Sequence, residues 1–344
     1  MRVLQFADPA DGRCRVGLVE GDQVLDLTGV DGQPATLHDV YYRAGGDRDG
    51  LEAALERARA AAQGGRRLSL AQLAAARPGT GQPHLVKPVS GPPGIPYALR
   101  IWLAGVTHAD SARLREIEAK QATGDQVNVY EQKYRETAGG GRPELFPKVD
   151  PDSVVGHGEG LTRPADTERL VPETELVTVY GVNARGQVER LGYTGGNDAT
   201  DNGIEATNPL NLPQAKNWEG GCASLGPLLV TAAEFDDGEV RVSCVVLRAG
   251  RRAAYKEGRT GQRHLNMPDG LYHMEQMLFR RLPLGAGQLQ ALYWGTPIVF
   301  AEADLAGGLK AGDVVRMTFS GGIGTLETPV VALGQTAQLA GLRP

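Results

Sequence analysis

Residues 171–179, VPETELVTV, and residues 191–203, LGYTGGNDATDNG, decide how this chain reads. The first opens an apolar, β-branched run in which Glu173 and Glu175 stand two apart. Positions i and i+2 of a strand face the same way, so both carboxylates project together. Two like charges on a half-buried face are costly unless a cation or a proton neutralises them. Pro172 suits a strand start. The second stretch is a strand running into a glycine-rich turn with Asp198 at its end, where a hairpin returns it beside Glu173 and Glu175. Three carboxylates from two adjacent elements make a hard, oxygen-only site for Mg²⁺, with Mn²⁺ or Ca²⁺ as alternatives, and without the His or Cys that zinc prefers. Taken singly, the Glu pair also fits a solvated edge strand, and Asp198 an Asx-type turn cap.

Outward from this core, strand patterns dominate. They are expected at Gln187–Thr194, Leu228–Thr231, Glu239–Leu247, Ala291–Trp294, Val314–Phe319 and Thr328–Leu333, with one helix from Gly270 to about Arg281. That helix places Leu271, Met274, Met277 and Leu278 at helical spacing, which reads as core packing. The N-terminal part alternates short strands (Val3–Phe6, Arg15–Val19, Gln23–Leu27) with helices at about Leu51–Ala62 and Leu70–Ala76. A Pro/Gly-rich stretch from Arg77 to Pro96 is the best boundary signal. The expected fold is therefore α+β: a small N-terminal α/β domain over 1–90, then a large β-rich domain over 91–344, a mixed β-sandwich or roll. A helix from Asp110 or Ser111 to about Ala119 and an amphipathic segment over Asn128–Thr137 complete the reading.

Composition narrows the function. The chain has 344 residues, a net charge of −5 and no dense Lys/Arg block, so nucleic acid and anionic membrane are poor partners. Its three cysteines are scattered, which fits a reducing compartment. The N-terminus enters strand alternation at once, and no apolar stretch reaches the roughly 18 residues of a membrane span. A cytoplasmic protein acting on a small molecule is expected. The glycine runs at 139–141 and 320–324 match no nucleotide-binding loop.

PETEL, GYTGGND and NPLNLPQAKNWEGGCASLGPLLV (208–230) fall in the order and spacing of the fumarylacetoacetate hydrolase superfamily, which the chain resembles over roughly residues 98–335. The NPL-LPQ-K string and GRPELF (141–146) resemble most its 2-keto-3-deoxy-aldonate dehydratase branch, which includes 2-keto-3-deoxy-D-arabinonate dehydratases. The resemblance implies metal ligation by Glu173, Glu175 and Asp198, a further glutamate at Glu144, an active-site lysine at Lys216, and a substrate-contacting Gly-Thr-Pro loop at Gly295, Thr296 and Pro297. It also implies a homodimer or homotetramer.

Hydrolytic members carry a His–Glu pair that activates water. In the matching segment, GVTHADSARL (105–114), Ser111 stands where that His belongs and Leu114 where its Glu belongs. A serine without a base partner cannot take a proton from water, which favours elimination over hydrolysis. Ser111 and His108 remain as substrate contacts, the latter equally readable as a structural histidine. The leading expectation is dehydration of a 2-keto-3-deoxy-pentonate to 2-oxoglutarate semialdehyde, with Glu144 and Lys216 carrying protons in roles that could be exchanged. Acylpyruvate-type C–C hydrolysis is the alternative, and a non-catalytic 2-oxo-acid-binding protein a third. One departure bears on specificity: the family's DVSARD is DATDNG here, so Asn202 replaces an arginine.

Overall fold

β-Branched and aromatic residues alternating with short turns give the chain nineteen strands among the residues described in the computed structural model, 1–28, 34–108, 129–148, 150–207, 209–282 and 284–334. The N-terminal strands are β1 (Arg2–Asp8), β2 (Arg13–Glu20), β3 (Gln23–Asp26), β4 (Arg67–Ser69) and β5 (His84–Leu85). Next come β6 (Leu99–Gly105), β7 (Glu144–Lys148), β8 (Val154–Val155), β9 (Leu161–Arg163), β10 (Leu170–Val171), β11 (Thr174–Val182), β12 (Val188–Asn197) and β13 (Thr200–Asp201). The last are β14 (Ala223–Thr231), β15 (Val240–Arg248), β16 (Arg251–Thr260), β17 (Leu289–Tyr293), β18 (Val314–Phe319) and β19 (Gly324–Ala332). The helices that matter below are α1 (Leu37–Tyr42), α2 (Gly46–Asp49), α3 (Leu51–Ala61), α4 (Leu70–Ala75), α5 (Val129–Ala138), α6 (Asn202–Thr207), α7 (Leu212–Lys216) and α8 (Leu271–Phe279).

A 12-stranded mixed sheet runs β4-β3-β2-β1-β14-β12-β11-β17-β6-β7, with β5 on β1 and β8 on β14; a 5-stranded sheet runs β16-β15-β18-β19-β9. Every residue of β11 and β14 is buried, as expected for central strands covered on both faces. Alternation sorts their side chains. Val177 and Val179 join Leu37, Tyr41, Leu51 and Leu55 beneath α1 and α3, whereas Leu176 and Tyr180 join Cys244, Met317 and Leu271 beneath the smaller sheet and α8. Helix α3, LEAALERARAA, is built of strong helix formers and buries Leu51, Ala54, Leu55 and Ala58 along one stripe. Each buried leucine contributes on the order of 1.5–3 kcal/mol.

Pairing ties the N-terminal strands to the rest of the chain. The large sheet crosses the expected boundary near residue 90, because β1 pairs with β14 at Arg2–Val230 and Val3–Leu229. Nor is the Pro/Gly-rich stretch a free linker: β5 pairs with β1, and the Gln5 amide donates to Lys87 O at 2.8 Å and Ser90 Oγ at 3.0 Å. Strand β16, RRAAYKEGRT, was not expected at all. It is an edge strand with most side chains in solvent, so it carries no hydrophobic alternation, and pairing with β15 supplies its order.

Candidate metal and catalytic site

The β11–β12 hairpin builds the acidic cluster. Thr174 opposes Asn197, the Asp198 amide donates to Glu173 O at 3.0 Å, and the Asn197 side-chain oxygen accepts from the Glu173 amide at 2.9 Å. Glu173 and Asp198 are thereby pinned across the strand ends, with Glu175 two residues on, on the same face as Glu173. The glycines of GYTGGND permit the fit, since a Cβ on Gly195 would enter the Phe319 ring and one on Gly196 the Tyr293 ring. The result is Glu173, Glu175 and Asp198, all buried, with one carboxylate oxygen from each lying within 4.8 Å of the others. They form the one such metal-competent cluster among the described residues.

Two lysines compensate this charge. Lys216, at the end of α7, donates to Glu173 Oε2 at 2.9 Å and Asp198 Oδ2 at 2.8 Å. Lys148, wholly buried at the end of β7, sits 2.6 Å from Asp198 Oδ1 and donates to the backbone carbonyl of Lys216. Aromatic faces wall both ammonium groups, Trp218 at 5.6 Å from Lys148 and Phe146 at 6.0 Å from Lys216. Burial alone would raise the Asp198 carboxyl, but Lys148 and then Lys216 more than offset it, and its pKa is lowered. Glu175 goes the other way. Burial first, then Asp198 and Glu173, raise its pKa well above the ordinary carboxyl value, although its Oε2 accepts from the Gly295 amide at 2.7 Å. With all three carboxylates ionised, the two lysines leave one negative charge in excess. A hard divalent cation suits this buried, oxygen-only donor set.

Beside the cluster lies a cleft lined by Glu144, Phe146, Glu173, Glu205, Lys216 and Thr296, among others. Glu144 opposes Gly105 across β7–β6, and its carboxylate lies over that glycine where any Cβ would collide with it. Gly295 is held at φ +83°, with Thr107 and the Ala104 carbonyl where a side chain would stand, and this aims its N–H at Glu175.

Glu144, Lys216 and Thr296 thus face one cleft with Glu173 of the acidic trio. The Thr296 hydroxyl also serves its own turn, donating to Ile298 O at 2.8 Å and accepting from Ile298 N at 3.1 Å. Ser111 lies outside the described residues. His108 was expected as a substrate contact or, equally, as a structural histidine. It is buried behind Thr107, its two ring nitrogens lie 3.0 and 2.9 Å from the hydroxyls of Thr107 and Thr260, and burial first, then His264, drives its pKa down to about 3. Sequence reading missed Lys148 and Glu205. Lys148 follows the apolar pair Phe146–Pro147 and reads as a surface residue at a strand end; the six-residue α6 that carries Glu205 gives no periodic signal.

A buried carboxylate triad on a hairpin end, balanced by two lysines and opening on an acid-lined cleft, defines a hard-cation enzyme site. The fumarylacetoacetate hydrolase C-terminal family model matches residues 115–331, and the chain belongs to that family. It is 33% identical over 248 residues to the 2-dehydro-3-deoxy-D-arabinonate dehydratase of Saccharolobus solfataricus, covering 72% of this chain and 74% of that one. It is 32% identical over 237 residues to a probable 2-keto-3-deoxyxylonate dehydratase of Haloferax volcanii, covering 69% and 73%. In fold it is similar to a solved 2-keto-3-deoxy-D-arabinonate dehydratase complexed with magnesium and 2,5-dioxopentanoate, with a TM-score of 0.67 at 24% identity, covering 97% of this chain and 100% of that one.

Proposed function

We propose that this chain is a Mg²⁺-dependent hydro-lyase that converts a 2-keto-3-deoxy-pentonate, such as 2-keto-3-deoxy-D-arabinonate, to 2-oxoglutarate semialdehyde (2,5-dioxopentanoate) and water. The observation that carries this reading is the convergence of Glu173, Lys216 and Glu144 on one cleft beside the acidic trio. Ser111 and Leu114 replacing the hydrolytic His–Glu pair support it against hydrolysis.

Glu173, Glu175 and Asp198 would hold the cation, which when bound supplies a Lewis acid for the 2-oxo acid end of the substrate and eases loss of a C3 proton. Glu144, reaching into the cleft from edge strand β7, takes the C3 proton and returns one to the departing C4 hydroxyl. Lys216, held against Glu173 and Asp198, assists this transfer and binds the substrate carboxylate. Thr296 and Ser111 contact the substrate. The C3–H and C4–O bonds break, C3=C4 forms and water leaves. Moving a proton from C5 to C3 and ketonising the resulting enol then gives the C5 aldehyde.

The test is product analysis with 2-keto-3-deoxy-D-arabinonate and Mg²⁺, run beside acetylpyruvate. Formation of 2,5-dioxopentanoate with no cleavage of acetylpyruvate is expected; cleavage of acetylpyruvate alone overturns the reading. The same proposal includes a homodimer or homotetramer, measured by light scattering, and a cytoplasmic location. Among the described residues no helix is long and apolar enough to cross a membrane.

A further inference from the structure

A second pocket lies behind the catalytic cleft. Side-chain alternation separates the two: Glu144 and Phe146 of β7 face the cleft, whereas Pro143 and Leu145 line a pocket of about 330 Å³ on the opposite face, between β6–β7 and α8. Its floor is carbon. Leu145 and Met277 offer no donor, and the indole N–H of Trp102 is spent on Gln290 Oε1. Its rim is Arg142, Arg280 and Arg281, all exposed, and among the described residues no acid lines it. None of these three guanidinium groups has an ion-pair partner among the described residues, although the chain's net charge is −5. The two walls are fixed to each other, because His273 of α8 donates through Nε2 to the Gly141 carbonyl at 2.8 Å, one residue before Arg142. We propose that this pocket binds an organic phosphate dianion with an apolar, aromatic body, at a site distinct from the catalytic cleft.

Charge and donor inventory lead to this ligand class. Guanidinium groups donate and never accept, so the head of the ligand must be all acceptor. Their planar forks match the paired oxygens of a phosphate, and three of them suit a dianion with three free oxygens. Three like charges around one pocket repel one another, which an anion relieves. The floor asks for the reverse: Trp102, Leu145 and Met277 gain by covering carbon. Bare phosphate would leave that floor wet, and a neutral aromatic would leave the rim uncompensated. The volume matches the small end of ligand pockets, roughly 300–1,000 Å³. Cations also favour helix C-termini, which accounts for Arg280 and Arg281 at the end of α8. It does not account for Arg142, which enters from the opposite wall beyond the three glycines that follow α5.

The experiment titrates the full chain with 1-naphthyl phosphate, followed by the probe's own fluorescence and by calorimetry. Saturable binding of one probe per chain is expected, with inorganic phosphate and 1-naphthol each bound about tenfold or more weakly, since each supplies half of the contacts. Arg142→Gln should weaken the probe by about tenfold, and the double variant Arg280→Gln/Arg281→Gln by about tenfold or more, the scale of a charge-assisted hydrogen bond. Arg13→Gln removes the same charge from exposed β2, six strands from β6 in the large sheet, and should leave binding within about threefold. Pyruvate with Mg²⁺, which occupies the cleft, should not displace the probe. All four arginines are exposed, so melting temperatures should hold and certify the fold. Absence of saturable binding overturns the assignment. So do an equal loss in Arg13→Gln, no loss in the pocket variants, inorganic phosphate binding as tightly as the probe, or displacement by pyruvate with Mg²⁺.

Discussion

Cation binding should displace a proton, because burial and then the neighbours Asp198 and Glu173 raise the pKa of Glu175 well above the ordinary carboxyl value. In the cation-free protein the trio carries three carboxyls against two lysines, and a proton on Glu175 brings that sum to zero. A divalent cation needs Glu175 ionised, so below its raised pKa each ion bound must expel one proton. Apparent affinity should then rise tenfold per pH unit, about 1.36 kcal/mol, and flatten once Glu175 ionises unaided. Stability follows the same linkage with its sign fixed. A carboxyl with a raised folded-state pKa penalises the fold as pH rises from its unfolded value of about 4.5 through the folded value. The apo protein should therefore lose stability over that window, and saturating Mg²⁺ should stabilise it increasingly. The assay is titration calorimetry at pH 5.5 in two buffers of different ionisation enthalpy, which counts protons directly. About one proton per Mg²⁺ is expected for the wild type and none for Glu175→Gln, whose binding should be weak and flat with pH. Tight Mg²⁺ binding at pH 5.5 with no proton release would refute the protonated-apo account.

Lys148→Met should cost about 3–5 kcal/mol in urea unfolding without Mg²⁺, since Asp198 loses a fully buried partner at 2.6 Å, and Mg²⁺ should restore part of it; a loss below about 1 kcal/mol would mean the ion pair is not needed. Gly295→Ala puts a Cβ into Thr107 at a φ of +83°, so the Gly295 amide must leave Glu175. Mg²⁺ affinity should fall about tenfold or more, for one charge-assisted hydrogen bond lost, while overall stability drops only about 1–2 kcal/mol. Both ring nitrogens of His157 are engaged, one with Ala74 O at 2.9 Å and the other accepting from Glu327 N at 3.2 Å. Burial lowers its pKa, so it stabilises the neutral form; that contribution is present above about pH 6.5 and lost as pH falls through the folded-state pKa. Acid unfolding curves of His157→Gln should lose this dependence.

The trio was legible because it obeys local rules: strand parity places Glu173 with Glu175, and a glycine-rich turn closes the hairpin on Asp198. The long alternating strands and the Ala-rich α3 were legible for the same reason. What stayed hidden depends on distant partners. A lone lysine near a strand end reads as surface, and Lys148 is buried only because β7 pairs with β6 and lays it beside Asp198. The contact of His108 with Thr260 spans 152 residues and has no local signal either. The Pro/Gly stretch imitates a linker, and nothing local announces that Gln5 will bind Lys87 and Ser90.

This division between local and distant determinants also separates the metal from the reaction. The three expected ligands hang from one hairpin locked by backbone hydrogen bonds on central strands that are buried at the cluster end, so their geometry is costly to alter. The groups that would choose the chemistry come from less constrained elements: Glu144 from edge strand β7 and Lys216 from five-residue α7. Such elements can change side chains with little cost to the core. Exchanging Glu144 should therefore redirect or abolish turnover while Mg²⁺ binding persists. Exchanging Glu173 or Asp198 should remove both together, because each is at once an expected ligand and the anchor of Lys216. Glu144→Gln measured beside Asp198→Asn, by calorimetric Mg²⁺ binding and product formation, separates the two classes; loss of Mg²⁺ binding in Glu144→Gln would show that the cleft and the cluster are not independent.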